Sequence, residues 1–571
     1  MMALLTARRV ATRALPVVLA AMLGLPLAAG AAERLFVNGH VFTANRAQPY
    51  AAAVAVRDGT IVAVGTDDEA RRAVGSSAEV IDLHGGTLLP GLIDSHVHTV
   101  DGGLSLLGVD VQNEVADIDR LAAIAADAGR SGRGLRGDVV RISGLPIEVW
   151  SHLPELNRAI AAGPLATKPV LLLCSDGHTG WANPVLLKRA GITPRYLRSL
   201  PEARRKYYGY DASFTPNGFL VDAGLDVALA VLPEPAAATY KAAAAGAIDY
   251  LHGFGITSWL EASITVPMLD AYRALAAEHR LTAHVAAFID VHAERPDPLA
   301  EVLKLREEYR DVPGLTLPGV KVYADGVVEY PAQTAAMWAP YAITLKTGDL
   351  LFRPEDFARL CIAADRLGLI VHTHAIGDRA VTETLNGIEA ARRANGPNGP
   401  RHSITHLQFI RPSDQPRFAA LGVYASYQLL WAEAGTDTID LVKPYVDPAI
   451  YPWQYPARSL LDQGAVIAGA SDWNVSSPNP FLAIYQAETR RGALGVLDAA
   501  QAVPREAMLY AYTINAARVM QADALVGSLE PGKAADLVLV DRDVLTVPAE
   551  SLRETKVLWT VVNGEWVYRA P

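Results

Sequence analysis

The sequence predicts an α/β protein built on a (β/α)8 TIM barrel, with a small β-sandwich domain formed from both chain ends and a large insertion after barrel strand 1. Three observations carry this. Eight apolar, β-rich runs alternate with helical stretches through the middle of the chain, short alternating segments with turn dipeptides occupy both ends, and one strand-to-strand interval is far too long.

The eight runs, in order, are GLIDSHVH, GITSWLEA, LTAHVAAFID, GVKVYADG, LIVHTH, HSITH, VYASYQ and AVIAGASD. Parallel strands joined by helices close into a barrel whose reactive rim is the C-terminal end of the strands. From His98 to Gly255 the interval greatly exceeds the roughly 30 residues that a βα unit needs. An insertion at about 103–235 therefore interrupts a barrel spanning 89–521, and ATYKAAAAGAIDYLHGFG is the helix that leads into strand 2.

The ends read differently. RLFVNGHVFTA and AAVAVRDGTIVAVG carry hairpin signals at Asn38-Gly39 and Asp58-Gly59, and VLWTVVNGEWVY carries another at Asn563-Gly564. Residues 32–88 are expected to form a small antiparallel sheet and to join 522–571 in one discontinuous sandwich. Ahead of them, Arg8, Arg9 and Arg13 precede an uncharged run from Ala14 to Ala32. That layout is expected of a signal peptide, residues 1–31, cleaved near Ala31, which places the mature chain in the periplasm or outside the cell without stable membrane anchoring. The Arg8-Arg9 pair leaves the Sec and twin-arginine routes both open.

Composition excludes several function classes. The formal charge of −10 becomes −13 without the three N-terminal arginines, which leaves no basic patch for nucleic acid. Cys174 and Cys361, the only cysteines, each sit in an apolar run and read as packed thiols rather than a disulfide or a zinc-thiolate pair. No G-x-S-x-G elbow supports a serine nucleophile. Homo-oligomerisation is left open by the sequence.

The chemistry lies at the strand ends. His96 and His98 share one face of strand 1, because residues i and i+2 point the same way. Lys321 lies within an apolar strand, where an ammonium is costly to bury. Strand 5 carries His372 and His374, strand 6 ends in His406, and strand 8 ends in Asp472 after the small-residue run AGAS. Each residue alone has an ordinary alternative in the core or at a turn. Together, on one rim, they supply enough nitrogen and oxygen ligands for two divalent ions.

PGLIDSHVH, KVYADG, HAIGD, ITHLQ, GASDW and GSLEPGKAADLVLVD resemble, in order, the motifs of the amidohydrolase superfamily, and in particular of its third family, typified by N-substituted formamide deformylase-like enzymes. The resemblance covers nearly all of the mature chain, including DGHTGWANPVLLKRAGI around His178. It implies His96, His98, His374, His406 and Asp472 as metal ligands, with Lys321, carboxylated by carbon dioxide, as the bridging ligand. It further implies two divalent ions, with zinc favoured by ligand type and manganese, iron or cobalt as alternatives, and a small-molecule amide as substrate. Thr405, Asp222 and Asn474 depart from the family's usual residues, and this weakens any transfer of substrate identity.

The expected reaction is hydrolysis of a non-peptide C–N bond by metal-activated water, with Asp472 moving the proton to the leaving nitrogen. His178 is a candidate oxyanion or substrate contact, and Asp325 a candidate for orienting Lys321 or the substrate. Trp473, Trp181 and Tyr323 could line a pocket, although packing is the ordinary role of such aromatics. The rival expectations are the same metals acting on an ester, lactone or phosphoester, and a barrel kept as a catalytically inactive scaffold.

Overall fold

The structure is a computed structural model that describes residues 33–161 and 163–571. The signal-peptide reading of 1–31 concerns residues outside that range.

Eight parallel strands form the central sheet in sequential order: β1 (Leu92–Val97), β2 (Ile256–Ile264), β3 (His284–Asp290), β4 (Leu315–Tyr323), β5 (Ile370–Ala375), β6 (Ser403–His406), β7 (Tyr424–Tyr427) and β8 (Val466–Gly469). They are the eight runs expected from the sequence. The first and last strands meet through Ser95 Oγ donating to Gly469 O at 2.8 Å and the Asp472 amide donating to His96 O at 2.9 Å. Ile93, Leu260, Phe288, Ile370 and Ala468 pack with Met520 and Val526 into one buried cluster. Phe288 also reaches the ring of His372, at 5.7 Å between centroids, so this packing lies directly against the histidines of the barrel.

The helices that follow the strands present apolar stripes at a spacing of three and four residues. In Asp378–Asn395 the buried set includes Ala380, Val381, Thr384, Leu385, Ile388 and Ala391, the pattern of a helix lying on a sheet. Helix α1 (Thr99–Leu107) begins immediately after β1 and packs along α2 (Ala237–His252), the helix expected before β2. A Cβ on Gly103 would lie 2.1 Å from the carbonyl oxygen of Ala243, so glycine is what lets these helices touch. That contact continues the barrel's helical layer to Leu107, beyond the expected start of the insertion at 103.

Between α1 and α2 the chain builds a separate six-stranded sheet, ordered 208–210, 216–221, 179–182, 170–174, 139–145, 135–136. A distinct apolar cluster covers each face, one including Ile142, Leu172 and Trp181 and the other Leu171, Leu186 and Leu220. At the chain ends, a four-stranded and a six-stranded sheet share a core of Phe36, Val54, Val56, Leu88, Leu537, Leu539 and Val561, a sandwich drawn from both ends.

Two turn expectations hold, and one needs correction. Asp58-Gly59 and Asn563-Gly564 join antiparallel neighbours, with Arg57 opposite Thr60 and Val562 opposite Glu565. Asn38-Gly39 does not make a hairpin. The strand before it, Glu33–Val37, pairs with 53–57 and 79–82, whereas the strand after it, His40–Phe42, pairs in the other sheet with 87–90 and 50–51. Asn38 adopts the left-handed conformation (φ 57°) that the dipeptide signals, but here it carries the chain between layers. The 79–82 and 87–90 pairings are parallel, so the expected antiparallel N-terminal sheet is mixed.

Candidate metal centre and substrate cavity

Strand ends β1, β4, β5, β6 and β8 bring His96, His98, Lys321, His374, His406 and Asp472 to one rim. Asp472 lies at the centre, its Oδ1 3.2 Å from His96 Nε2 and 3.3 Å from His98 Nε2, with Oδ2 3.9 Å from His406 Nδ1. The ligand atoms of His96, His98 and Asp472 all lie within 4.8 Å of one another. Lys321 Nζ is 3.2 Å from His96 Nε2, and the His374 and His406 rings are 4.5 Å apart. His406 and Asp472 hold left-handed backbone angles (φ 74° and 56°), a strain of the kind that gathers at functional sites.

These residues suit a metal. Asp472 Oδ1 is buried yet accepts no hydrogen bond, a cost that a cation would relieve. Burial, then the neighbouring Lys321, holds His96 well below its ordinary pKa. Burial is also the first cause for His374 and His406, so all three imidazoles are neutral, the form that ligates. Burial would raise the Asp472 carboxyl, but the adjacent His98 imidazole and the positive charges around it outweigh that and keep it ionised. Lys321 is buried with no carboxylate at ion-pair distance among the described residues, and burial lowers its pKa to about 8.

Neighbouring groups set the tautomers. His96 Nδ1 is 2.6 Å from His372 Nε2, and His372 Nδ1 is 2.6 Å from Ser403 Oγ. A proton on His96 Nδ1, donated to His372 Nε2, would leave His96 Nε2 as the lone pair facing Asp472. His374 Nε2 lies 3.1 Å from Gly326 O and His406 Nδ1 3.1 Å from Gln428 Oε1, so each donates there and keeps its other nitrogen free. Sequence reasoning noticed His372 in the H-x-H of strand 5 but gave it no role. Its i−2 spacing from His374 was the available signal, since it places both rings inside the barrel.

His178 and Asp222 reach the site from the insertion. They flank paired strands, with Thr179 opposite Val221, which sets the imidazole Nδ1 2.7 Å from Asp222 Oδ1. The His178 ring lies 5.3 Å from that of His374. Burial alone would lower its pKa, but the Asp222 bond and charge override this and raise it to about 9, so His178 is a cation at neutral pH.

Asp325 is bound to backbone amides. Its oxygens accept the amides of Ile376 (3.0 Å), Gly377 (2.8 Å) and Ala336 (2.9 Å), and it is fully buried, outside the cavity lining. It anchors the turn from β5 into the helix at Asp378, where a Cβ on Gly377 would lie 2.1 Å from Ala336 O. Its Oδ1 also lies 3.6 Å from His374 Nε2, so it stands directly beside that imidazole. Among the aromatics, Trp473 lines the cavity, whereas Trp181 is buried in the insertion core.

Above the centre lies a cavity of about 550 Å3, bounded by His178, His374, His406 and Asp472, by the insertion, and by the loops after β4, β7 and β8. Among the described residues its lining is acidic and contains no lysine or arginine. Burial and then the charge of Asp437 push Glu329 up to about 7. Burial and then the charges of Asp176 and Glu148 push Asp437 up to about 6.

An eight-stranded barrel with a histidine and aspartate centre at the C-terminal strand ends belongs to the metal-dependent hydrolase class of barrels. The chain is a member of the amidohydrolase family, whose signature matches residues 79–568. It is 28% identical to the protein LONG AFTER FAR-RED 3 of Arabidopsis thaliana, over 95% of this chain and 93% of that one. It is 25% identical to the N-substituted formamide deformylase of Arthrobacter pascens, over 93% and 97% respectively. An uncharacterized metal-dependent hydrolase from Pyrococcus horikoshii OT3 superimposes with a TM-score of 0.71 at 25% identity, covering 91% of this chain and 99% of the other.

Proposed function

We propose that this protein hydrolyses a non-peptide C–N bond of a small-molecule amide, at a centre where His96, His98, Lys321, His374, His406 and Asp472 hold two divalent ions, zinc by ligand type. The observation that carries this is the buried, unbonded Asp472 Oδ1 between two imidazole Nε2 atoms at the base of a cavity. Divalent ions bound there supply Lewis acidity toward a carbonyl and let water ionise near neutral pH.

The chain's own groups do the rest. Asp472, ionised and facing the cavity, takes the proton from the attacking water and delivers it to the leaving nitrogen, which departs poorly as an anion. His178, held cationic by Asp222 at the cavity wall, offers an N–H to the oxygen on which charge develops. Lys321, with its pKa lowered toward neutrality, can add to carbon dioxide with loss of a proton, which replaces a buried cation by an anion suited to two ions. The name of the formamide deformylase relative favours an amide, and the absence of lysine and arginine from the lining weighs against a phosphoester.

The test is elemental analysis of purified protein, expected to give close to two divalent ions per chain and fewer in Lys321→Ala. It is paired with an assay panel of N-formyl amines, N-acyl amino acids, cyclic amides and lactones. Protein free of metal after growth in zinc or manganese contradicts the proposal, and turnover of lactones alone assigns the site to the ester chemistry instead.

A further inference from the structure

We infer that Glu261 is a positioning residue for His98: its carboxyl group, reaching across from β2, caps the helix that begins immediately after that imidazole and so fixes where the ring points. This rests on the reading of the rim as a metal centre.

The residue at the N-cap of a helix usually turns its own side chain back to accept the amide of the second or third helical residue. His98 occupies that place in α1, and its side chain makes no such bond. Its Nε2 lies instead 3.3 Å from Asp472 Oδ1. A side chain committed to the centre cannot also cap, so the first turn of α1 needs an acceptor from elsewhere. Glu261 Oε1 supplies it, accepting the amide of Val100, the second residue of the helix, at 3.2 Å.

Strand pairing puts Glu261 within reach. β2 runs parallel to β1 with Glu261 opposite Val97, the residue before His98. Leu260 and Ala262 pack in the cluster of Ile93 and Phe288, whereas Trp259 packs with Val97, Val100 and Tyr272 in the layer between the strands and their helices. Alternation places Glu261 on the same face as Trp259, behind the histidines rather than among them. A carboxyl group that is 1% exposed in such a layer is costly unless its oxygens are used. Here they are: Glu261 Oε2 accepts the Tyr272 hydroxyl at 2.6 Å and the Trp259 indole N–H at 3.2 Å, which leaves Oε1 aimed at α1. The backbone is thus held on both sides of the imidazole, because the His98 amide donates to Trp473 O at 2.7 Å and the Val100 amide to Glu261.

The experiment measures metal binding, not turnover. Cobalt(II) is titrated into the full-length, metal-stripped protein against a competing chelator, with the visible absorption of the bound ion recorded. In Glu261→Leu, which fills the space but accepts no hydrogen bond, one of two ions should bind roughly tenfold more weakly and with altered absorption bands, the lower end of the cost of losing a partner behind a metal ligand. Glu261→Gln keeps an oxygen for the Val100 amide and should bind like the parent. If Glu261→Leu does not fold, the same loss is read in Tyr272→Phe/Glu261→Leu, which also removes the hydroxyl left without an acceptor. Leu385→Ala, buried in the helix after β5, lowers stability without touching this contact and should leave both ions in place. Unchanged cobalt binding by Glu261→Leu, or a weakening of both ions alike, overturns the inference. So does an equal loss in Glu261→Gln or Leu385→Ala, which would make the effect one of charge or of general stability. Two ions held equally well by the parent and Glu261→Leu leave the hydrolase reading standing and remove this one alone, whereas a parent that takes up no cobalt removes the metal centre and this role with it.

Discussion

Replacing Asp222 by asparagine isolates the charge that the insertion brings to the site. The substituted amide retains an oxygen at the same reach, so the 2.7 Å bond from His178 Nδ1 can persist while the negative charge goes. An imidazole raised from 6.5 to about 9 gains about 3 kcal/mol of preference for its protonated form. The side chain is 18% exposed, so a working range is about 1–3 kcal/mol after screening. The folded-state pKa lies above the unfolded one, so this stabilisation is fully present below about pH 6.5 and is lost as pH rises through about 9. Asp222→Asn should therefore lower the melting temperature by a few degrees at pH 6 to 7 and by nearly nothing at pH 10, where His178 is neutral in both proteins. Asp222→Glu, which keeps the charge, should follow the parent protein. Scanning fluorimetry across pH 6 to 10 reads the difference. A destabilisation of the same size at pH 7 and pH 10 would refute the reasoning, because it would show that packing, not charge, was lost.

Two further expectations follow from the geometry. Asp472→Asn should retain most of its metal by elemental analysis while kcat on an amide falls by roughly 10²–10⁴, the range for losing a general acid–base group, whereas His96→Ala should lose metal and activity together. Parent-level turnover by metal-loaded Asp472→Asn would show that Asp472 does not carry the proton. Gly103→Val should destabilise by roughly 1–3 kcal/mol, because its side chain would enter the contact with Ala243 O, and an unchanged melting temperature would show that α1 can lift from α2 freely.

Much of the barrel was legible in the chain because buried parallel strands are continuous apolar runs, and the candidate ligands sit at the ends of those runs. His96 and His98 could be placed together from spacing alone, since the pleat fixes i and i+2 on one face. Asp325 could not be resolved this way. Its Asp-Gly dipeptide is compatible with a turn, a ligand or a substrate contact, and only the positions of Ile376, Gly377 and Ala336 show that its oxygens are committed to backbone amides. Asn38-Gly39 was ambiguous for a related reason, because a left-handed dipeptide reverses the chain but does not say whether the next strand rejoins the same sheet.

Local patterning was enough to place the eight strands, the two-ended sandwich and the residue types gathered on the rim, because hydrophobic periodicity and pleat geometry act over a few residues. The pairing of His178 with Asp222, the contact of His372 with His96, and the meeting of Glu329, Asp437 and Asp176 around one cavity emerge only in the assembled fold. Those contacts join segments tens to hundreds of residues apart, and what brings them together is the closing of the barrel and the seating of the insertion over its mouth, which no local pattern encodes.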